Sequence, residues 1–218
     1  MGEKSEHIQP RRNQFLDRIT RFVKKEDLTL RFELTPNAKR VLGTLVARPN
    51  PTLAEFSFLG LGINGVVEEI VVADTSKYSD KSRLLFSGEY KSTSDKTELE
   101  IIFNKVHQDG RIGELLLLGH MHPTGSAIID GIKYNISPSD TLLEPSGGGS
   151  GKGGPTSGGD LAFYKEFIRL NPNCSPMVAI AANTQKGPQL KVYDMAKLVK
   201  VKRYHDIDKV PQQTIDLK

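Results

Sequence analysis

Two histidines separated by one residue are the part of this sequence with the clearest chemistry. His120 and His122 end the apolar run "ELLLLGHMH", which predicts a strand buried on both faces. Residues two apart in a strand project to the same face, so both imidazoles point one way and Met121 points the other. Two neutral imidazoles on a rigid strand are good first ligands for Zn²⁺. The same pair can also be incidental to function, so a metal site needs further ligands.

A serine and an aspartate stand at the start of a predicted helix further along. In "TSGGDLAFYKEF", Ser157 precedes Asp160 by three residues, which is the pattern of a helix capping box. Capping is compatible with metal binding, because a capped helix start holds its carboxylate rigidly. The glycine-rich residues before Ser157 do not form a phosphate-binding loop. Such a loop needs a glycine where Ser146 stands and a hydroxyl residue where Gly153 stands.

A hydrolytic metal also needs a base for its water, and four glutamates on predicted strands are candidates for that role. They are Glu55, Glu68, Glu69 and Glu114. Glu114 shares the parity of the histidines but lies about 20 Å away along the strand. Glu55 begins "EFSFLGLG", whose glycines allow other groups to approach closely. The single cysteine, Cys174, excludes a multi-cysteine zinc site, so a metal must use histidine and carboxylate ligands.

Alternating helices and strands must position these residues. The predicted elements are a short amphipathic helix at 13–25, strands at 28–34, 54–62, 65–74, 82–88, 114–122, 177–183 and 189–195, and helices at 35–47, 95–109 and 160–170. Thr35-Pro36 is a good helix start, and Asn64-Gly65 is a strong hairpin signal. The hairpins argue against an all-parallel sheet. We therefore expect an α/β fold with a mixed β-sheet flanked by helices, in a single domain.

The ends of the chain and one internal segment differ in composition from this domain. We expect residues 1–27 to be an N-terminal extension with the short helix, 28–200 to be the domain, and 201–218 to be a C-terminal tail that is loosely ordered from about 205. Residues 124–156 are rich in glycine, serine and proline and are expected to be an irregular insertion.

The composition of the 218 residues narrows the class of protein. No run of 18 apolar residues and no signal peptide is visible, and one cysteine fits a reducing compartment, so we expect a cytoplasmic protein that does not bind membranes. The net charge of +4 comes with basic clusters near both ends. A nucleic-acid surface is an alternative, but no aromatic residues are interleaved with these clusters, and solvated charged faces explain them more simply.

Taken together, the motifs resemble those of the JAMM (MPN-plus, JAB) metalloprotease family. "EFSFLGLG" from Glu55, then "GHMHPTG", then "PTSGGD" are similar to its pattern of a glutamate on an early strand, His-x-His-Pro, and Ser-x-x-Asp. The resemblance covers roughly residues 30–195, and the order of elements agrees. The family keeps a shorter spacing between the second histidine and the serine, so "SPSD", with Ser137 and Asp140, is an alternative. Asp160 is preferred because it opens a convincing helix that a buried strand follows.

The resemblance implies a JAB/MPN-like fold, with the layering of cytidine deaminases, and a zinc-dependent peptidase. It implies that His120, His122 and Asp160 bind Zn²⁺, that Glu55 takes the proton of the attacking water, and that Ser157 donates a hydrogen bond to the oxyanion.

The resemblance also suggests substrates and an alternative function. The substrate is expected to be a protein cut at a peptide or isopeptide bond, with ubiquitin-like modifiers and their C-terminal tails as candidates. The domain at 28–200 is then a JAMM-like catalytic domain, and the insertion at 124–156 shapes substrate access. The alternative is a non-catalytic scaffold of the same fold that binds protein partners.

Overall fold

The computed structural model describes residues 30, 32–48, 53, 55–72, 98–129, 131–146, 159–172 and 174–218. Its strands are β1 (Glu33–Leu34), β2 (Phe56–Ile63), β3 (Val66–Val72), β4 (Leu115–His122), β5 (Gly125–Ile129), β6 (Ile132–Ile136), β7 (Met177–Thr184), β8 (Gly187–Tyr193) and β9 (Gln212–Asp216). Its α-helices are α1 (Pro36–Ala47), α2 (Glu98–Gln108), α3 (Gly159–Leu170) and α4 (Met195–Leu198), with 3₁₀ turns at Ile112–Glu114, Asp140–Leu143 and Tyr204–Lys209. The helix predicted at 13–25 and the strand predicted at 82–88 lie outside the described residues.

Seven strands form one mixed sheet in the order β1-β3-β2-β4-β7-β8-β9. The pairs β1–β3 and β4–β7 are parallel, and the other neighbours are antiparallel. This confirms the predicted mixed sheet. Strand β4 lies at the centre, so it is flanked on both edges, and its apolar run is buried as expected.

Helices cover both faces of this sheet. Helix α1 packs on one face, where Leu42 joins Met121 and Leu190 in one buried cluster. Helices α2 and α3 pack on the other face, where Leu161 of α3 lies in the same cluster as Ile180 of β7. His120 pairs with Ile180 across β4 and β7 and so shares the face that α3 covers. The layering places the start of α3 near the end of β4.

Local sequence signals set two of the element boundaries. Thr35 caps α1, its hydroxyl oxygen accepting a hydrogen bond from the Ala38 N–H at 3.3 Å, and Pro36 follows at the first helical position. The β2–β3 turn has positive φ at both Asn64 (54°) and Gly65 (81°), as a two-residue hairpin of this type requires. Both features were predicted from the sequence.

The expectation that residues 124–156 are irregular is wrong over part of their length. Strands β5 and β6 form a separate two-stranded antiparallel sheet, joined through Gly131 at a φ of 79°. Isoleucines are frequent on both strands, and β-branched side chains favour extended backbone. The strand signal was therefore present within a segment whose overall composition suggested a loop.

The expectation of a loosely ordered C-terminal tail is also wrong. Strand β9 pairs with β8 at the edge of the main sheet, with Ile215 opposite Leu190. Ile215 and Leu217 alternate with polar residues, and Leu217 is buried in the cluster beneath α1. Ile215 also packs against this cluster, so the burial of both side chains contributes to the docking of β9 on the sheet edge. None of the helices in the described ranges has the length and apolar character needed to cross a membrane.

Candidate metal centre

Three elements bring together four side chains of types that can bind a metal. His120 and His122 lie at the end of β4, and Asp160 lies in the first turn of α3. The pairing of Phe56 with Met121 places Glu55, one residue before β2, beside His122. One nitrogen or oxygen of each of these four side chains lies within 4.8 Å of the others. These are the histidines, the glutamate and the preferred aspartate of the sequence analysis.

The spacing of three of the side chains fits a small tetrahedral cation. The Nε2 atoms of the two histidines lie 2.9 Å apart, and Asp160 Oδ2 lies 3.4 Å from His120 Nε2 and 3.7 Å from His122 Nε2. Tetrahedral Zn²⁺ with bonds of about 2.0–2.1 Å holds its ligand atoms about 3.3 Å apart. The three distances bracket that value, so the atoms fit Zn²⁺ after small shifts.

Glu55 occupies the more open side of the centre. Its Oε1 lies 3.7 Å from His122 Nε2, and 26% of its side chain is exposed, against 11% for His122. If a cation were bound, a carboxylate in this position would be able to accept a proton from a water on it, and it is also open to bulk solvent. This arrangement suits a proton acceptor better than a buried ligand.

Each histidine has a second contact, at its other ring nitrogen. His122 Nδ1 lies 2.6 Å from the Leu142 carbonyl oxygen, and His120 Nδ1 lies 3.0 Å from the Tyr164 hydroxyl. A carbonyl can only accept, so Nδ1 of His122 donates, and Nε2 of the neutral ring carries the lone pair. Both rings therefore aim Nε2 at the centre, as metal-binding histidines do.

Ser146 holds the carboxylate of Asp160 through a reciprocal pair of hydrogen bonds. The Ser146 N–H donates to Asp160 Oδ2 at 2.7 Å, and the Asp160 N–H donates to Ser146 Oγ at 3.0 Å. This is the geometry of a capping box, made here by a serine 14 residues before the aspartate. The Ser-x-x-Asp pattern predicted Ser157 as the capping serine, and Ser157 lies outside the described residues.

The charges of the centre favour a positive ion. Burial alone would lower the pKa of His120, but the carboxylates of Asp160 and Glu55 outweigh burial and raise that pKa to about 9. Burial would raise the pKa of Asp160, but the two histidines hold it well below its usual range. The two carboxylates therefore favour a positive charge at this point, carried either by a proton on His120 or by a bound cation.

The other candidates of the sequence analysis lie elsewhere. Asp140 and Ser137 are exposed, and Asp140 begins a 3₁₀ turn; neither is among the four clustered side chains. Glu69 and Glu114 both bind Arg111, at 2.8 and 2.7 Å, near the opposite end of β4.

Sequence reasoning missed three supporting residues, Leu142, Ser146 and Tyr164. Tyr164 could have been found, because it stands four residues after Asp160 and so shares its helix face. Ser146 carried a weaker signal, because Ser-Gly-Gly occurs both at 146–148 and at 157–159. Leu142 acts through its backbone, so its residue type carried no signal.

Comparison with known proteins adds no assignment. The chain matches no model of a known protein family and no curated protein sequence. The case for a function therefore depends on the residues and their geometry.

Proposed function

We propose that this chain is a zinc-dependent peptidase or isopeptidase of the JAMM type, with a JAB/MPN-like fold. The observation that carries the proposal is the convergence of His120 Nε2, His122 Nε2 and Asp160 Oδ2 at the spacing of a tetrahedral site. A set of two histidines and a carboxylate leaves a fourth position for water, as catalytic zinc sites do. Glu55 supplies the neighbouring base.

In the proposed hydrolysis, three residues bind the metal and a fourth transfers the proton. His120, His122 and Asp160 hold the ion, and bound Zn²⁺ supplies Lewis acidity and lowers the pKa of a water towards about 7. Glu55 accepts a proton from the attacking water and passes it to the departing amine.

Two serines are candidates for the hydrogen bond to the oxyanion that develops on the substrate carbonyl. The sequence motif favours Ser157, whereas the contacts of Asp160 favour Ser146. Ser146 Oγ accepts a hydrogen bond from the Asp160 backbone, so it keeps its own hydroxyl proton to donate. We assign the role to Ser146; a donor of this kind contributes about 2.7–4 kcal/mol to transition-state stabilisation.

The substrate stays a prediction from the sequence resemblance. A protein cut at a peptide or isopeptide bond, with ubiquitin-like modifiers among the candidates, is consistent with the proposed chemistry. The cytoplasmic location likewise stays a prediction.

The test is zinc content followed by hydrolysis. Wild type, Asp160→Asn and Asp140→Asn are loaded with zinc identically, exchanged into zinc-free buffer and measured by elemental mass spectrometry. We expect about one zinc per chain in wild type and in Asp140→Asn, and a loss in Asp160→Asn. Asp140 is the matched control, because it is the alternative ligand in the sequence and lies away from the cluster.

The second step uses Glu55→Gln and a panel of fluorogenic linear and isopeptide-linked peptides. We expect this variant to retain zinc and to lose hydrolysis, because an amide cannot accept the proton. Hydrolysis at the wild-type rate would remove Glu55 from the mechanism. No zinc in wild type would refute the peptidase and favour a non-catalytic scaffold.

A further inference from the structure

Helix α3 contributes two groups to the candidate metal centre. Asp160 stands in its first turn, and Tyr164 follows four residues later on the same helix face. The Tyr164 hydroxyl oxygen lies 3.0 Å from His120 Nδ1, and the tyrosine is only 1% exposed. Helix α3 thus carries one candidate ligand, Asp160, and also contacts Nδ1 of a second candidate ligand, His120.

Among the described residues, Tyr164 supplies the hydrogen-bonding contact found at the outer nitrogen of His120. His120 is itself buried, so bulk water has little access to its Nδ1. His122 has the Leu142 carbonyl in the equivalent position. The two histidines therefore depend on different parts of the chain, one on a backbone carbonyl and one on a side-chain hydroxyl.

We propose that Tyr164 is a positioning residue that sets the ring orientation and tautomer of His120 for metal binding. The inference rests on the proposed zinc site. When Nε2 of neutral His120 faces a cation, the remaining ring proton is on Nδ1 and is donated to the Tyr164 oxygen. Removing that oxygen leaves a buried N–H without this acceptor and frees the ring to turn.

Tyr164 also belongs to the hydrophobic core, where its ring lies 5.5 Å from that of Phe163. If Tyr164 contributed only packing, Tyr164→Phe would leave zinc affinity unchanged, because this substitution keeps the ring and removes one oxygen. The matched control is Thr184→Val, which also removes one buried hydroxyl. Thr184 is 3% exposed, and its hydroxyl donates to Gln189 Oε1 at 2.9 Å within the β7–β8 hairpin.

The experiment measures zinc affinity of the full chain by competition with a chromophoric chelator in wild type and both variants. Loss of an outer-sphere partner typically lowers metal affinity 10- to 100-fold, so we expect a loss of that size in Tyr164→Phe. For Thr184→Val we expect a change below about threefold, because its hydroxyl bonds within the β7–β8 hairpin and contacts none of the candidate ligands. An affinity in Tyr164→Phe within threefold of wild type, or an equal loss in both variants, would overturn the proposal.

A second measurement reads the hydrogen bond itself, and its deciding result comes from wild type. In ¹⁵N-histidine spectra of the zinc-loaded protein we expect His120 to carry its proton on Nδ1, with slow exchange against water, and the Nδ1–H resonance to shift in Tyr164→Phe. A His120 proton on Nε2 would overturn the role of Tyr164 even if the variant failed to fold. Absence of zinc binding in wild type is a different result, which would refute the metal centre and this role with it.

Discussion

Replacing Gly159 with alanine tests how the candidate ligand Asp160 is held. Gly159 has a φ of +58°, in the left-handed region, and a Cβ built on it would overlap Ser146 Oγ and lie 2.9 Å from the Ser146 carbonyl oxygen. Glycine is needed here both for its conformation and for this close approach. Gly159→Ala therefore pushes Ser146 away from the start of α3, where Ser146 and Asp160 exchange their two hydrogen bonds.

The cost follows from those two effects. A left-handed conformation costs an alanine about 1–2 kcal/mol. Losing the cap bond from the Asp160 N–H to Ser146 Oγ costs about 1 kcal/mol more. We expect a loss of about 2–3 kcal/mol in the free energy of unfolding, which for a chain of this size lowers Tm by about 4–12 °C. Zinc affinity should fall as well, because the Asp160 carboxylate loses its support.

Urea unfolding and calorimetry of the metal-free protein measure the first effect, and chelator competition measures the second. Gly113→Ala is the matched control, because its backbone is outside the left-handed region and nothing lies within 4 Å of the added Cβ. We expect that control to lie within about 0.5 kcal/mol of wild type. A Gly159→Ala protein as stable as Gly113→Ala would show that Ser146 does not approach α3 as described.

Two further predictions concern the role of Ser146 in hydrolysis and the reactivity of Cys174. If Ser146 donates to the oxyanion, Ser146→Ala should lower kcat about 10²–10³-fold and retain zinc, whereas Ser157→Ala should stay close to wild type; the reverse pattern would restore the motif assignment. Burial raises the pKa of the Cys174 thiol to about 11. Iodoacetamide at pH 8 should therefore alkylate it at least tenfold more slowly in the native protein than in urea, and equal rates would contradict its burial.

Local signals predicted the parts of the fold that local physics controls. The cap at Thr35 and the turn at Asn64-Gly65 depend on a few neighbouring residues, and both are confirmed. The shared orientation of His120 and His122 follows from the two-residue period of a strand. These features were predictable because no distant contact was needed to produce them.

The assembly of the centre depends on contacts that the local sequence does not specify. Glu55 meets His122 because of the β2–β4 register, and Asp160 meets His120 because α3 packs on one face of the sheet. The sequence placed these residues together through resemblance to a family pattern. Ser157 was identified from the Ser-x-x-Asp spacing, and Ser146, which also begins a Ser-Gly-Gly triplet, was not among the candidates.

The contacts of residues 142–146 explain how Ser146 comes to lie beside Asp160. Residues 142–146 pack against the main sheet, where Leu143 is buried and its carbonyl accepts a hydrogen bond from the Tyr193 hydroxyl at 2.8 Å. The same short segment presents the Leu142 carbonyl to His122 and Ser146 to Asp160. Two candidate ligands are therefore oriented by a segment whose position is set by hydrophobic burial. Variants that weaken the docking of residues 142–146 should therefore also lower metal affinity. His122 and Asp160 are held in position for a metal only when this segment has folded.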